Sequence, residues 1–284
     1  MKKDLFSSSV VPPHKASLKP MLAGAIVLFS FLPFTFTFFL ETAHTQTPQA
    51  TRGVIRLKVK YKSGEATKEL PRKRFFLIKG SLEENKGLIE KIKQPATLSR
   101  ECYYRNKRAS AALIKWLNEN DCESVYCREI EEKYLGGNEA VPEFKAAYDV
   151  ALREFKNPEL ARRWLTVNLP AEFRDGFYKQ KQELINALLK QAEETTRTKV
   201  MSVMTDRKGT AYLTEIEPGL YTISNLVASE TEKTSILWAC EKEVKAVDLA
   251  IAMRRPFTLS NEKDPKVKCE IVERPLPVCE QTAK

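Results

Sequence analysis

The spacing of apolar residues changes twice along this 284-residue chain, and no other feature constrains the fold more. Apolar and polar residues alternate in residues 54–62 and again after residue 200, which is the period of half-buried β-strands. Between these regions the apolar residues recur at helical spacing. We therefore predict an α+β protein: a β-sandwich built from residues 53–80 and 200–273, interrupted by an all-helical insertion at 81–199 and followed by a tail at 274–284.

Short strands with turn signals between them are predicted on both sides of the helical region. Residues 54–62 and 73–79 form the first two strands, with a turn region between them. Further strands are predicted at 235–244, 256–260 and 267–272. Many short strands at this spacing are typical of a sandwich.

Two turns contain residues that fix the expected turn type. Residues 206–209, Asp-Arg-Lys-Gly, suit a type I turn with Gly209 in the left-handed region, as in a bulged hairpin. Pro218 and Gly219 occupy the two positions that a type II turn requires.

The stretch 205–223, TDRKGTAYLTEIEPGLYTI, resembles the core of carboxypeptidase regulatory-like domains, the transthyretin-like or prealbumin-like sandwiches of exported bacterial proteins. The matching residues are Thr205, Asp206, Gly209, Ile216, Pro218, Gly219, Tyr221 and Ile223. The resemblance implies a transthyretin-like antiparallel β-sandwich, but it marks a fold and implies no carboxypeptidase activity. The helical insertion departs from the family's pattern.

Capping signals place the helices of the insertion. Ser81 and Glu84 have the spacing of a capping box, and Pro142, Pro158 and Pro170 suit the first turns of three later helices. We also predict a helix at 103–118 and a short one around 125–135. The apolar stripe of the 103–118 helix consists of Ala109, Leu113, Trp116 and Leu117.

The N-terminal 45 residues have the pattern of an export signal. A lysine-containing segment precedes residues 21–40, which carry no charge. About 20 apolar residues are also enough to span a bilayer as a helix. Residues 1–45 are therefore either a signal peptide, with Ala43 and Thr45 as the small residues of a cleavage site, or a retained membrane anchor. In both cases the rest of the chain is periplasmic or extracellular.

Six cysteines follow this segment, and an even number in an exported chain predicts disulfides. They are Cys102, Cys122, Cys127, Cys240, Cys269 and Cys279. A 103–118 helix would be about 24 Å long, whereas the Cα atoms of a disulfide lie within about 7 Å. This disfavours Cys102–Cys122, leaves Cys122–Cys127 close enough to pair, and directs Cys102 to a cysteine near the C-terminus.

The basic excess of the exported part lies in residues 51–80, which contain ten Lys or Arg against two Glu; the whole chain has a net charge of +10. Arg56, Lys58, Lys60 and Lys62 share the polar face of the first strand. They form either a solvated strand face or a stripe for an anionic partner such as lipid headgroups or acidic polysaccharide. No nucleic-acid-binding motif is present, so nucleic acid is not expected as the partner.

The two histidines, His14 and His44, both lie within the N-terminal segment. Their position excludes Ser-His-Asp chemistry and histidine-based zinc sites in the rest of the protein. We predict no catalytic, cofactor-binding or metal-ligating residue. Glu129, Glu131 and Glu132 are either a solvated helix face or the carboxylates of a hydrolase.

Some sandwiches related to the resembled family form an internal Lys–Asn isopeptide bond beside a glutamate, and the resemblance would assign these roles to Lys58, Asn261 and Glu215. The bond is disfavoured because Lys58 lies on the polar face of its strand.

The predicted function is an exported, non-enzymatic binding or structural module of the cell envelope. Its partner is an envelope protein or a polysaccharide. The alternative is a carboxylate-dependent hydrolase with its site in the helical insertion.

Overall fold

The structure is a computed structural model that describes residues 52–95, 98–246 and 254–279. The predicted signal peptide or anchor, including the apolar run at 21–40, lies outside the described residues. Within the described ranges, no helix is both long and apolar enough to cross a membrane.

The described chain contains ten strands and six α-helices in three blocks, with strands first, helices next and strands again last. The first block contains β1 (Gly53–Ser63), β2 (Ala66–Glu69) and β3 (Arg74–Lys79). The second contains α1 (Lys86–Lys93), α2 (Arg100–Asn106), α3 (Ala111–Glu119), α4 (Pro142–Phe155), α5 (Pro158–Trp164) and α6 (Phe177–Thr196). The third contains β4 (Met201–Met204), β5 (Thr210–Ile216), β6 (Gly219–Ser224), β7 (Ser229–Glu230), β8 (Thr234–Val244), β9 (Phe257–Leu259) and β10 (Cys269–Pro275).

The strands form two sheets that pack face to face. In the smaller sheet, β1 pairs with β2, β5 and β9; in the larger, the order is β10-β8-β6-β3-β4, with β7 beside β8. Residues of β1, β3, β6 and β8 share one apolar core, so the chain is an α+β protein with sandwich-like sheets. The sandwich is not purely antiparallel as predicted, because β9 runs parallel to β1.

The burial of each strand follows from what covers it. Strand β1 buries Ile55, Leu57 and Val59 while the residues between them remain half-exposed, as the alternation predicted. Strand β3 instead buries four consecutive residues, Phe75 to Ile78, because the sheet is covered on both faces. Phe75 and Leu77 face the sandwich core, whereas Phe76 and Ile78 contact α1 and α6.

The helical region has a second core of its own. Tyr104, Trp116 and Phe144 are fully buried there together with apolar residues of α3 and of the segment before α6. Trp116 and Phe144 meet edge to face, with ring centroids 5.1 Å apart. The helices therefore both cover the larger sheet and bury apolar surface among themselves.

Pro142, Pro158 and the Ser81–Glu84 pair act as predicted, but the N-cap of α1 is Asn85 instead of Ser81 and Pro170 does not directly precede α6. Ser81 and Glu84 exchange N–H···O bonds of 2.6 and 3.1 Å, which is the reciprocal pattern of a capping box, although regular helix begins only at Lys86. Pro142 and Pro158 open α4 and α5, and the side chain of Asn157 accepts bonds from two N–H groups of α5. Pro170 instead precedes a π-helical turn, Glu172–Gly176, and α6 follows that turn.

The predicted 103–118 helix is wrong as a single element. It is broken at residues 107–110, where Arg108 has φ +61° and the side chain of Ser110 caps α3 by accepting a bond from Leu113. The short helix expected around 125–135 is also absent from this described part of the chain, which contains two 3₁₀ turns, Val125–Cys127 and Glu132–Tyr134.

Both predicted turns connect the two sheets, although a hairpin within one sheet was expected at 206–209. Gly209 has φ +64°, and the Asp206 side chain accepts hydrogen bonds from the backbone N–H groups of Lys208 and Thr210. However, β4 and β5, which this turn connects, belong to different sheets. Gly219 has φ +152°, far from the value of about +80° at the third position of a type II turn.

The 63–72 region, predicted as turn alone, contains the short strand β2.

All six cysteines are paired, which confirms the prediction of disulfides. The bonds are Cys102–Cys279, Cys122–Cys127 and Cys240–Cys269. Cys240 and Cys269 lie opposite each other on β8 and β10. The bond from Cys102 ties the predicted 274–284 tail to α2, and β10 extends into that tail to Pro275.

Candidate binding cleft

A cleft of about 740 Å³ lies between the sandwich and the helices. Strands β1, β2 and β7, helices α2 and α3 and the chain after β10 all contribute to its walls. The lining residues are Tyr61, Glu69, Leu70, Pro71, Ser99, Arg100, Glu101, Arg105, Asn118, Asp121, Glu230, Thr231, Glu232, Leu276, Pro277, Val278 and Cys279. The volume lies in the range of small-molecule sites.

Arg100, at the first position of α2, forms the centre of the inner wall. Its side chain is only 10% exposed, and its guanidinium lies 3.5 Å from Asp121 and 3.7 Å from Glu230. The guanidinium also donates to the Asn118 side chain (3.2 Å) and to the Cys122 carbonyl (3.0 Å). One residue therefore joins α2, the end of α3 and β7, and fixes two carboxylates at the cleft.

A second layer of charges lies behind this wall. Lys73, at the start of β3, is buried and donates to both oxygens of Asp121, at 3.0 and 2.9 Å. Lys181 of α6 donates to Glu123 at 2.6 Å. Buried charges of this kind are held in place by their partners, because an unpaired charge there is strongly unfavourable. The network thus joins the sandwich to the helical region.

Two carboxyl groups of the network have shifted pKa values in opposite directions. Burial raises the pKa of Glu230 above its ordinary value, and the nearby Arg100 only partly offsets this effect. Burial also acts against the charged form of Glu123, but Lys181 and Lys73 outweigh it and hold the pKa of Glu123 below its ordinary value. Of these two groups, Glu230 lines the cleft and Glu123 lies behind it.

The outer part of the cleft is lined by half-exposed ion pairs. Glu101 bonds to Arg105 at 2.6 Å, while Glu69 and Glu232 pair with Lys58 and Lys68, which do not themselves line the cleft. Five carboxylates against two guanidinium groups line the cavity. Carboxylates therefore outnumber cations at the cavity surface, although Lys58, Lys68 and Lys73 neutralise three of them from outside the lining.

The Cys102–Cys279 bond closes one end of the cleft. Residues Leu276 to Cys279 form part of the wall, and the disulfide attaches them to α2, which also carries Arg100 and Arg105. The backbone N–H of Leu276 donates to the Lys233 carbonyl at 3.1 Å and supports the same wall.

The predicted cationic stripe lies on the outer face of β1 and is partly neutralised. Arg56, Lys58 and Lys60 are half-buried and Lys62 is exposed. Lys58 pairs with Glu69, and Lys62 pairs with Glu262 at 2.9 Å. Two of the four cations of the stripe are therefore neutralised by glutamates.

The other sequence candidates lie away from the cleft lining. Glu129 and Glu131 are paired with arginines on an exposed surface, at 3.8 and 2.9 Å, and Glu132 is exposed. Lys58 bonds to Glu69, whereas Asn261 bonds to the Lys62 backbone and to Glu273. The structure therefore does not support the isopeptide arrangement.

Five of the eight residues that carry the family resemblance form or secure the two turns between the sheets. Asp206 and Gly209 form a turn between the sheets, and Gly209 is pressed so closely against β1 that a Cβ atom would lie 2.5 Å from the Val59 carbonyl. Pro218 and Gly219 join β5 to β6. The hydroxyl of Tyr221 donates to the Glu217 carbonyl at 2.9 Å and secures this connection.

The sequence analysis missed the residues that build the cleft. Arg100, Asp121 and Glu230 come from three distant parts of the chain, and none belongs to a recognisable motif. The sequence offered a signal for the position of Arg100 alone, because Ser99 before it is a residue type favoured at helix N-caps. In the structure the Ser99 hydroxyl accepts a hydrogen bond from the Cys102 N–H at the start of α2. Within the described residues, no group of three or more His, Cys, Asp or Glu side chains could hold a metal ion.

No protein-family model matches the chain, and no curated protein matches it. Among solved structures, it is similar to the pilus backbone protein RrgB of Streptococcus pneumoniae, with 10% sequence identity and a TM-score of 0.23. The match covers 74% of this chain and 41% of the pilus protein, so the chain spans less than half of that protein's length. A likeness at this TM-score does not establish a shared fold or function.

Proposed function

We propose that the protein is an exported, non-enzymatic binding module of the cell envelope and that its cleft binds a saccharide. The observation that carries this proposal is the cleft lining, which combines an open volume of about 740 Å³ with many fixed polar groups. Three disulfides fit a protein that functions in an oxidising compartment.

The lining chemistry suits a ligand with many hydroxyl groups. Carboxylates accept hydrogen bonds, guanidinium groups donate them, and Ser99, Asn118 and Thr231 can do both. Sugar hydroxyls also donate and accept. The buried ion pairs around Arg100 hold the inner wall in one arrangement, so little side-chain freedom is lost when a ligand binds.

The charge of the lining narrows the saccharide class. With five carboxylates and two guanidinium groups around the cavity, an acidic polysaccharide would bring like charges together. A neutral or amine-bearing saccharide avoids this repulsion. We therefore propose an uncharged or cationic oligosaccharide as the ligand.

Binding of three oligosaccharides tests this proposal: a hexamer of N-acetylglucosamine, a hexamer of glucosamine and a heparin fragment. Titration calorimetry is expected to show binding of the first two and none of the third. Glu232→Gln, at the cleft, should weaken binding of the glucosamine hexamer about tenfold, from the loss of one charged hydrogen bond.

Glu262→Gln is the matched control. Like Glu232, Glu262 is a half-exposed glutamate paired with a lysine, but it does not line the cleft. Preference for heparin, or equal effects of the two substitutions, would contradict the proposed site.

One observation favours a hydrolase as the second candidate. Glu230, with its raised pKa, and Asp121 both line the cleft, and glycoside hydrolysis uses two carboxyl groups, of which the general acid has a raised pKa. The contacts of both groups favour binding instead. Asp121 has both oxygens bonded to Lys73, and Glu230 accepts the Arg100 N–H at 2.6 Å.

A separate apolar stripe supports the binding of an envelope protein as well. Leu160, Trp164 and Val167 are 40%, 51% and 52% exposed and recur at helical spacing on α5 and the turn after it. An exposed apolar stripe of this kind is typical of a protein contact surface. We propose this stripe as the contact surface for an envelope protein.

A further inference from the structure

An apolar slot lies between α1, α6 and the outer face of the larger sheet. Its volume is about 170 Å³, and none of its lining residues is shared with the cleft. The lining residues are Lys91, Ile92, Pro95, Leu98, Leu184, Ala187, Leu188, Leu226, Val227, Ala228, Ser235, Leu237, Val272 and Arg274.

The slot is formed because two helices cover the sheet incompletely. Ile92 of α1 and Leu188 of α6 are buried against Leu237 of β8 in the layer between helices and sheet. Leu184 and Ala187, on the same helix as Leu188, remain exposed at the slot. A comparable apolar cavity of about 150 Å³ is known to take up benzene, so the slot has room for about six carbon atoms.

The polar groups of the slot are mainly cationic. Arg274 donates to the Pro95 carbonyl at 2.9 Å and to the Lys93 carbonyl, and Lys91 donates to the Gln191 side chain at 2.7 Å. These acceptors are neutral. Among the described lining residues there is no carboxylate, and Ser235 is the remaining polar residue. The positive charge at the slot is thus offset by no acidic group in its lining.

From this combination we infer that the slot binds a single-chain fatty carboxylate. The apolar end of the chain would lie among the leucine and valine side chains, and the carboxylate would meet Lys91 and Arg274. The exposed Leu184 and Ala187 leave an opening for a chain longer than the slot itself. The inference concerns a site distinct from the saccharide cleft, so either can fail without the other.

Photo-crosslinking tests the inference on the exported protein purified without detergent. The probe is octanoate with a diazirine near its methyl end, and peptide mass spectrometry locates the labelled residues. We expect labels in the segments that carry residues 184–188 and 226–228. Octanoate should compete for labelling about tenfold better than octylammonium, because only the carboxylate gains a charged hydrogen bond.

Two substitutions separate head-group recognition from apolar filling. Lys91→Gln should reduce labelling about tenfold, whereas Lys86→Gln, on the same helix but outside the slot lining, should not change it. Ala187→Phe, at an exposed position, should fill the slot and abolish labelling.

Three results would overturn the inference. Labels spread over other surfaces would show that the slot is not the site. Equal competition by octylammonium would remove the role of the cations. Equal labelling of the Lys91→Gln and Lys86→Gln variants would do the same, and this comparison holds even if Ala187→Phe fails to fold.

Discussion

Replacing Arg100 with glutamine should destabilise the protein strongly and in a pH-dependent way. The guanidinium is 10% exposed and contacts two carboxylates and two neutral acceptors. Removing one partner from a buried ion pair costs about 3–5 kcal/mol, because the other charge remains buried without compensation. At pH 8 we therefore expect a loss of about 3–5 kcal/mol in the free energy of unfolding.

The pH dependence follows from Glu230. Burial raises the pKa of Glu230 in the folded protein, and Arg100 opposes this shift. A carboxyl with a raised folded-state pKa stabilises the fold most at low pH, and that contribution is lost as the pH rises through the folded-state pKa. Without Arg100 the pKa of Glu230 rises further, so the cost of the substitution should be larger at pH 8 than at pH 4. At pH 4 we expect about 1–3 kcal/mol, from the lost hydrogen bonds alone.

Urea unfolding at pH 4 and pH 8 measures both values, and Arg105→Gln provides the control. Arg105 lies on the same helix and bonds to Glu101, but both side chains are about half exposed, 50% and 41%. Such a pair contributes about 0.3–0.5 kcal/mol. Glu230→Gln should also reduce the cost of Arg100→Gln at pH 8. The reasoning is refuted if Arg100→Gln costs no more than Arg105→Gln, or costs the same at both pH values.

Two further stability predictions concern the disulfides and the sheet-crossing turn. Removing Cys102–Cys279 by double alanine substitution should lower the free energy of unfolding by about 5 kcal/mol, and removing Cys122–Cys127 should lower it by about 2 kcal/mol. The difference follows from loop entropy, since the bonds span 177 and 5 residues. Equal melting temperatures for the two variants would contradict this. Gly209→Ala should cost more than Gly64→Ala, because both have φ near +64° but only Gly209 has a backbone oxygen within 3 Å of the new Cβ. Urea unfolding should give about 1–2 kcal/mol for Gly64→Ala and a larger value for Gly209→Ala, and the reverse order would refute the packing argument.

The sequence predicted most strand positions well, both in β1, which has one face towards solvent, and in β3 and β8, which are covered on both faces. In β1 the alternation of residues 54–62 matches the burial of each side chain, and β8, β9 and β10 lie within a few residues of their predicted positions. Strand β2, ATKE, was missed because it is short and polar and buries no apolar residue. Ser110, the N-cap of α3, is a residue type that indicates a helix start. The apolar residues at 109–117 nevertheless keep helical spacing across the break, so the pattern predicted one continuous helix.

The sheet topology could not be predicted, because turn residues fix a local conformation and do not determine which sheet the next strand joins. Asp206 and Gly209 adopt the expected turn, yet β4 and β5 pair with different sheets. Cys102 pairs with a C-terminal cysteine and Cys122 with Cys127, as predicted, whereas the partner of Cys102 and the Cys240–Cys269 bond were left open. The reason given, one continuous 103–118 helix, is wrong because α2 and α3 are separate helices.

The cleft was unpredictable for a related reason. Lys73, Arg100 and Glu230 are buried or nearly so, yet in the sequence they are indistinguishable from the many exposed charges around them. Their burial depends on contacts across more than 100 positions, such as the 2.6 Å bond from the Arg100 N–H to Glu230. Helix capping and strand period carry no information about such contacts.

If the cleft binds a saccharide without cleaving it, the bound ligand keeps its length. The protein is incubated with the N-acetylglucosamine and glucosamine hexamers, and mass spectrometry measures the length of the recovered oligosaccharides. We expect saturable binding and intact hexamers with both the wild type and Glu230→Gln. Shorter products from the wild type that disappear with Glu230→Gln would contradict binding without cleavage and identify a hydrolase.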